Sequence, residues 1–238
     1  MPYALVTGAS SGIGLAVSRM LLGEGYEVFG IGRDFSAVTD LPENACFHPL
    51  VCDIRDTKKL LQLTDAINVP LSVLIHSAGC AYYGLHEELS LDKITEMVDV
   101  NIRAPMVLTQ HLLRTLKAQK GTLIFISSVT AVFPSPRGAA YGATKAALSA
   151  FAESLFAENR KYGLRVVTIQ PDLTDTALYR NADFVPGSDT LAHLTPEAVA
   201  ESVRFALTQP EGTVIRDITL RPQVNQIEKK SHPKKSNS

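Results

Sequence analysis

Three cysteines in 238 residues are too few for a disulfide framework. Cys46 and Cys52 fall on one extended stretch, about 20 Å apart, so they cannot bridge without refolding, and Cys80 has no counterpart. A reduced protein of the cytoplasm is therefore expected. The six histidines show no ligand spacing, and no metal site is read from them. No apolar run approaches the ~20 residues of a membrane span. The first strand-like run, residues 3–6, begins so early that no signal peptide is expected before it. A net charge of −1 gives no reason to expect nucleic acid or an anionic membrane as a partner. Internal repeats are also lacking.

What remains is ordinary globular composition, 45% hydrophobic and 20% charged, enough for one sizeable core. The hydrophobic pattern alternates between buried strands and amphipathic helices. Residues 3–6 (YALV), 26–31 (YEVFGI), 46–52 (CFHPLVC), 71–76 (LSVLIH), 121–127 (GTLIFIS) and 164–170 (LRVVTIQ) read as strands, with 218–220 as a short seventh. Pro49 suits an irregular or edge position. Between the strands, helices are expected over 57–67, over 91–116 with an interruption at Pro105, and over 138–162 with Gly163 closing it. A last helix opens at Thr195-Pro196-Glu197, a cap followed by proline at the first helical position. Strand–helix alternation of this kind predicts an α/β fold: one Rossmann-type, doubly wound sheet of six to seven parallel strands flanked by helices. Residues 1–222 are expected to form this single domain. Residues 223–238 read as a polar, basic C-terminal tail, disordered toward its end.

Two stretches carry chemistry. The first is TGASSGIG, residues 7–14, between the first strand and the first helix. Gly8, Gly12 and Gly14 permit a tight turn and a close backbone approach, with Ser10, Ser11 and Ile13 between them. The free N–H groups of the following helix suit a pyrophosphate. The second strand ends in Gly32-Arg33-Asp34. Gly32 stands where an acidic residue would hold the ribose hydroxyl of NAD, and Arg33 suits the 2′-phosphate of NADP. Asp34 either accepts from a ribose or pairs with Arg33. NADP is the expected cofactor and NAD the alternative.

The second stretch is residues 127–145, SSVTAVFPSPRGAAYGATK. Tyr141 and Lys145 stand one helical turn apart on one face. A free phenol titrates near 10 and shuttles protons poorly at neutral pH, but a neighbouring cation lowers that value. Ser128, at a strand end, would hold a substrate oxygen against the phenol. By itself a Tyr–Lys pair at this spacing is common; its weight comes from sharing a chain with the glycine turn.

Together these motifs make the chain similar to the short-chain dehydrogenase/reductase family over about residues 3–222. The family's glycine pattern is met by Thr7 to Gly14. Its adenine-contacting acid matches Asp53, followed by Ile54. Its Asn-Asn-Ala-Gly strand end appears as His76-Ser77-Ala78-Gly79, keeping the small pair that meets the cofactor ribose and replacing both asparagines. His76 is thus either a tuner of the cofactor or a buried, hydrogen-bonded stand-in for asparagine. The resemblance implies that Asn101 bends its helix and holds a proton-relay water, and that Ser128, Tyr141 and Lys145 are the catalytic serine, tyrosine and lysine. After the sixth strand the Pro-Gly-x-x-x-Thr pattern is met by Pro171 and Thr176, with Leu173 between them and Asp172 in place of glycine. The implied activity is hydride transfer between a nicotinamide and a small alcohol or carbonyl compound: a hydroxy acid, a ketone or an oxoacyl compound. In that scheme Tyr141 acts as general acid/base.

The loop over 177–194 is the expected substrate lid, with Tyr179, Arg180 and Phe184 in it. Arg137 either meets a substrate carboxylate or faces solvent. The resemblance further implies a homodimer or homotetramer. Within the family, the GRD strand end and the LTPEAVAESVRFAL helix look most like the NADP-dependent 3-hydroxy acid (serine) dehydrogenase branch, with 3-oxoacyl carrier-protein reductase as the competing subgroup. From other classes, a non-catalytic NADP-sensing protein on the same fold would normally lack the Tyr or the Lys. An epimerase or dehydratase would need more chain after Thr176.

Overall fold

The computed structural model describes residues 1–38 and 46–230. Strand β1 (Tyr3–Thr7) runs into the glycine turn, and helix α1 (Gly12–Gly23) leads back to β2 (Glu27–Gly32) and β3 (Phe47–Val51). Helix α2 (Thr57–Asp65) then returns the chain to β4 (Leu71–His76), on the other side of β1. Helices α3 (Leu91–Val98) and α4 (Ala104–Ala118) precede β5 (Thr122–Ile126), and the long α5 (Ala139–Asn159) precedes β6 (Arg165–Pro171). The chain continues through a short β7 (Phe184–Pro186), α6 (Pro196–Leu207), β8 (Asp217–Leu220) and β9 (Ile227–Lys229).

Among the described residues, seven parallel strands form one sheet in the order β3-β2-β1-β4-β5-β6-β8. The sequence alternation thus yields the expected Rossmann-type fold, with the Pro49 strand at an edge. Successive residues of a strand face opposite sides, and both sides are covered. Ala4 and Val6 join Val17, Val28, Val199 and Val203 beneath α1 and α6. Leu5 joins Leu74, Phe125, Leu108 and Leu148 beneath α4 and α5. The chain reverses its winding between β1 and β4, so the carboxyl ends of those strands open a crevice, where ligands of such sheets bind.

Two departures from the sequence expectation bear on this crevice. The interruption within 91–116 is a π-turn over Asp99–Arg103, ahead of Pro105. Pro105 itself sits in the first turn of α4, where its missing N–H costs nothing. The irregularity follows Asn101, which is fully buried and bonds outside its own helix. Second, residues 223–230 are not simply a tail. Strand β9 pairs antiparallel with β7 of the 177–194 loop, and Lys230 Nζ donates to the carbonyls of Tyr179 (2.7 Å) and Arg180 (3.0 Å). A three-residue strand held by a loop leaves too short a pattern to read. The rest of that segment, 231–238, lies outside the described residues.

Candidate active site

A cleft of about 720 Å³ opens above the carboxyl ends of β1, β4, β5 and β6. Its floor is the glycine turn. Gly8 has φ +72°, and a Cβ there would meet Ala78 Cα at 2.9 Å. At Gly14 a Cβ would lie 2.2 Å from the Gly8 carbonyl oxygen, so α1 starts directly on the turn. Thr7 Oγ1 accepts from the amides of Ser77 and Ala78 (both 3.2 Å), stitching the turn to the end of β4. Thr7 belongs to the glycine motif, but its bracing role comes from strand adjacency that no local pattern reveals. Gly14→Ala should lower the melting temperature, by an overpacking cost of about 1–3 kcal/mol, and weaken dinucleotide binding. Gly23→Ala, where a Cβ meets nothing within 4 Å, should be neutral or slightly stabilising. Equal melting temperatures for the two variants would refute this account of the turn.

Ser10, Ser11, Gly12 and Ile13 line the cleft, and the N-cap Ser11 makes no side-chain bond to the first turn of α1. Further along lie Arg33, Asp53, Ile54, Ala78 and Gly79; Pro171, Leu173 and Thr176 face them from the end of β6. Gly32 packs closely at the end of β2: a Cβ there would lie 2.8 Å from Ser10 Oγ and 2.9 Å from the Phe35 ring, so those side chains would have to shift. Asp34 accepts from the Ser36 amide at 2.8 Å, while Arg33 is exposed at the rim. Asp53 is gripped by its neighbour: Arg55 Nε lies 3.0 Å from both carboxylate oxygens, and the Arg55 amide donates at 3.0 Å. These bonds hold the Asp53 carboxyl below its ordinary range. His76 faces away from the cleft. Its ring bonds Thr109 Oγ1 at 2.8 Å and stacks on Phe125, and burial drives its pKa down to about 3. It is the neutral, buried replacement for asparagine, not a cofactor contact.

At the centre of the cleft, Ser128, Tyr141 and Lys145 come together. Ser128 follows β5, and its Oγ accepts from the Thr130 amide at 3.2 Å. Tyr141 and Lys145 share a face of α5, with Nζ 5.8 Å from the phenol ring centre. Lys145 Nζ donates to the Ile126 carbonyl at 2.9 Å. Asn101 does not line the cleft. Its Oδ1 accepts from the Cys80 amide (3.0 Å), and its Nδ2 donates to Cys80 O (2.9 Å) and Thr144 Oγ1 (3.0 Å), tying the end of β4 to α5.

The electrostatics differ from the simple cation–phenol argument. Burial pushes the Tyr141 phenol above its ordinary value, the neighbouring Tyr179 adds to this, and the hydrogen bond with Ser128 opposes it only in part. Burial also pulls Lys145 down to about 8. Desolvation is the largest influence on both groups. At neutral pH the phenol therefore carries its proton and the lysine remains mostly charged.

An aromatic wall flanks the phenol. Tyr83 lies 5.8 Å from Tyr141 between ring centres, and contacts Phe184 (5.1 Å) and Tyr179 (6.2 Å). Tyr179 and Phe184 are in the expected substrate loop. Tyr83, the seventh residue after β4, is not among the residues singled out from sequence. Arg137, one of the residues read both ways above, donates to Asp183 at 2.8 Å and joins the start of α5 to the loop. The arrangement can hold a carbonyl or hydroxyl oxygen between Ser128 and Tyr141, against an apolar wall.

Comparison with known proteins follows the same line. A family model described as short chain dehydrogenase matches residues 2–183. A serine 3-dehydrogenase of Agrobacterium fabrum is 34% identical over 235 residues, covering 93% of this chain and 94% of that protein. Among solved structures, an alcohol dehydrogenase from the archaeon Thermococcus sibiricus, complexed with 5-hydroxy-NADP, superposes with a TM-score of 0.85 at 25% identity. The match covers 95% of this chain and 98% of that one. Serine dehydrogenase from Escherichia coli superposes with a TM-score of 0.81 at 25% identity, over 92% and 97% of the two chains.

Proposed function

The chain belongs to the short-chain dehydrogenase/reductase family, and on that premise we propose that it is an NADP(H)-dependent oxidoreductase acting on a small hydroxy acid or the corresponding carbonyl compound. The observation that carries the reading is the convergence of Ser128, Tyr141 and Lys145 in one buried cluster, beside a glycine turn where a Cβ would collide with backbone. The similarity to serine 3-dehydrogenase supports the hydroxy acid class.

The residues present fit a dinucleotide. Backbone at Gly8 and Gly12 and the first amides of α1 would hold the pyrophosphate, and Arg33 the 2′-phosphate. Ala78 and Gly79 allow a ribose close to the end of β4. Lys145 would meet the other ribose, and Pro171, Leu173 and Thr176 the carboxamide end. Asp53 and Ile54 would flank the adenine, with Asp53 oriented by Arg55. When bound, the nicotinamide supplies the hydride to a carbonyl carbon or accepts it from a carbinol carbon.

The protein's own part is orientation and the proton. Ser128 holds the substrate oxygen beside the phenol. Tyr141 gives its proton to that oxygen as the carbonyl is reduced, or takes it as the alcohol is oxidised. Charge on Lys145 stabilises the phenolate left behind, and Asn101 fixes the β4 end and α5 on which this alignment depends. A homodimer or homotetramer and a cytoplasmic setting are part of the same proposal.

Supplying the protein with NADP+ and a panel of hydroxy acids, and with NADPH and a panel of oxo acids, diketones and oxoacyl thioesters, tests it. At least one should be turned over, and no turnover across both panels would sink the reading. Cofactor preference has its own test. Arg33→Ala should lower kcat/KM for NADP about tenfold, the worth of one charge-assisted phosphate contact, and leave NAD nearly unaffected. An unchanged NADP preference would remove Arg33 from the site.

A further inference from the structure

We propose that Arg221 reads a carboxylate on the substrate, so that the compound reduced beside Tyr141 is an oxo acid and the alcohol a hydroxy acid; this rests on the oxidoreductase reading above. The register of β6 and β8 sets Pro171 opposite Leu220, and the Asp172 amide donates to the Leu220 carbonyl at 2.9 Å. Asp172 and Arg221 therefore leave the sheet side by side at its carboxyl edge. Asp172 accepts from the Leu173 amide through Oδ1 (2.9 Å) and pairs with Arg221 Nε through Oδ2 (3.2 Å). On its flat face the guanidinium lies 4.7 Å over the centre of the Phe133 ring.

The half-exposed Arg221 is thus braced from two sides, through Nε and through its face, where an unbraced arginine would sweep through water. Among the described residues, neither of its Nη groups has a hydrogen-bond partner. Those two groups form the fork that grips a carboxylate with two parallel bonds. The other arginines on this side of the cleft are spent differently: Arg137 Nη1 on Asp183, Arg180 Nη1 on the Ala177 carbonyl (3.4 Å).

Arg221 lines the same cleft as Ser128 and Tyr141. Burial raises the Tyr83 and Tyr179 phenols, and the charge of Asp172 adds to both, so the pair stands on the side of the cleft that carries the aromatic wall. Glycine at position 172, the residue the family pattern calls for, would give no brace. Asp172 is accordingly a positioning residue, and Arg221 the specificity-determining one. The carboxylate takes no part in bond making. The carbonyl carbon gains the hydride, its oxygen gains the Tyr141 proton, and the acid group stays ionised on Arg221.

The test uses the full chain with NADPH, and compares acetoacetate and pyruvate with their methyl esters. The acid-to-ester ratio of kcat/KM should fall roughly tenfold or more in Arg221→Met, as expected for a lost charge-assisted contact. The fall should appear in KM. Arg221→Lys, which keeps the charge but not the fork, should restore part of it. NADPH affinity, followed by fluorescence, checks that each variant is folded. An unchanged ratio in Arg221→Met, or acids and esters falling together, would overturn the assignment. Wild-type turnover of the esters without the acids would overturn it and leave the oxidoreductase reading standing. Turnover of neither would overturn it too, and the oxidoreductase reading would then stand or fall on the wider panels above.

Discussion

Tyr141→Phe is expected to lower kcat by roughly 10²-fold or more while leaving NADPH affinity within a few-fold of wild type. The substitution removes one oxygen from a ring that is already buried against Tyr83. Phenylalanine fills the same space, so the aromatic wall and α5 have no reason to move. What goes is the proton. Because burial holds the phenol above its ordinary range, wild-type Tyr141 arrives at the reaction protonated, as carbonyl reduction requires. Ser128 keeps its bond from the Thr130 amide and still polarises the substrate oxygen, which accounts for residual turnover. The measurement is single-turnover NADPH oxidation alongside a binding titration. Turnover within a few-fold of wild type would mean that another group supplies the proton. A parallel collapse of NADPH binding would mean that the phenol had been holding the cofactor site together.

How much of this was legible in the sequence depends on the range of the interactions. The sheet followed from runs such as LSVLIH and LRVVTIQ, because a strand covered on both faces must be apolar throughout. The glycine turn and the Ser128, Tyr141, Lys145 spacing were legible for a similar reason: each is set within one turn or one strand–helix unit. Long-range pairings were not legible. The resemblance marks Asn101 as the asparagine at a helix bend, but nothing near it announces that its amide will span from Cys80 to Thr144. Nothing in IEKK announces a partner in FVP, forty residues earlier. Nor does the Tyr–Lys spacing reveal that both groups are desolvated, which reverses the expected direction of the phenol's shift. Asp172 illustrates the same limit: in sequence it was a departure from glycine, and only the register of β6 against β8 gives it Arg221 to hold.

Lys145→Met is expected to abolish most turnover and yet to stabilise the protein at neutral pH. Burial lowers Lys145 from an ordinary 10.5 to about 8 in the folded chain. Below pH 8 both folded and unfolded chains carry the ammonium, and the folded chain bears the whole desolvation cost, roughly 3 kcal/mol for a shift of this size. Methionine fills the volume without that charge. It also leaves the Ile126 carbonyl without the lysine's hydrogen bond, a loss of about 1 kcal/mol. The net gain is on the order of 2 kcal/mol, enough to raise Tm by several degrees in a domain of this size. The sign also fixes the pH dependence. Between about 8 and 10.5 the unfolded chain binds more protons than the folded one, so wild-type stability rises with pH relative to the variant. The Tm gap should therefore be constant below pH 8 and close across that window. A variant less stable than wild type at pH 7, or a gap indifferent to pH, would show that Lys145 is held neutral or is better solvated than its burial implies. The predicted outcome places the cost of the buried ammonium where its use lies: a charge kept dry beside Tyr141 destabilises the fold and stabilises the phenolate that proton transfer leaves behind.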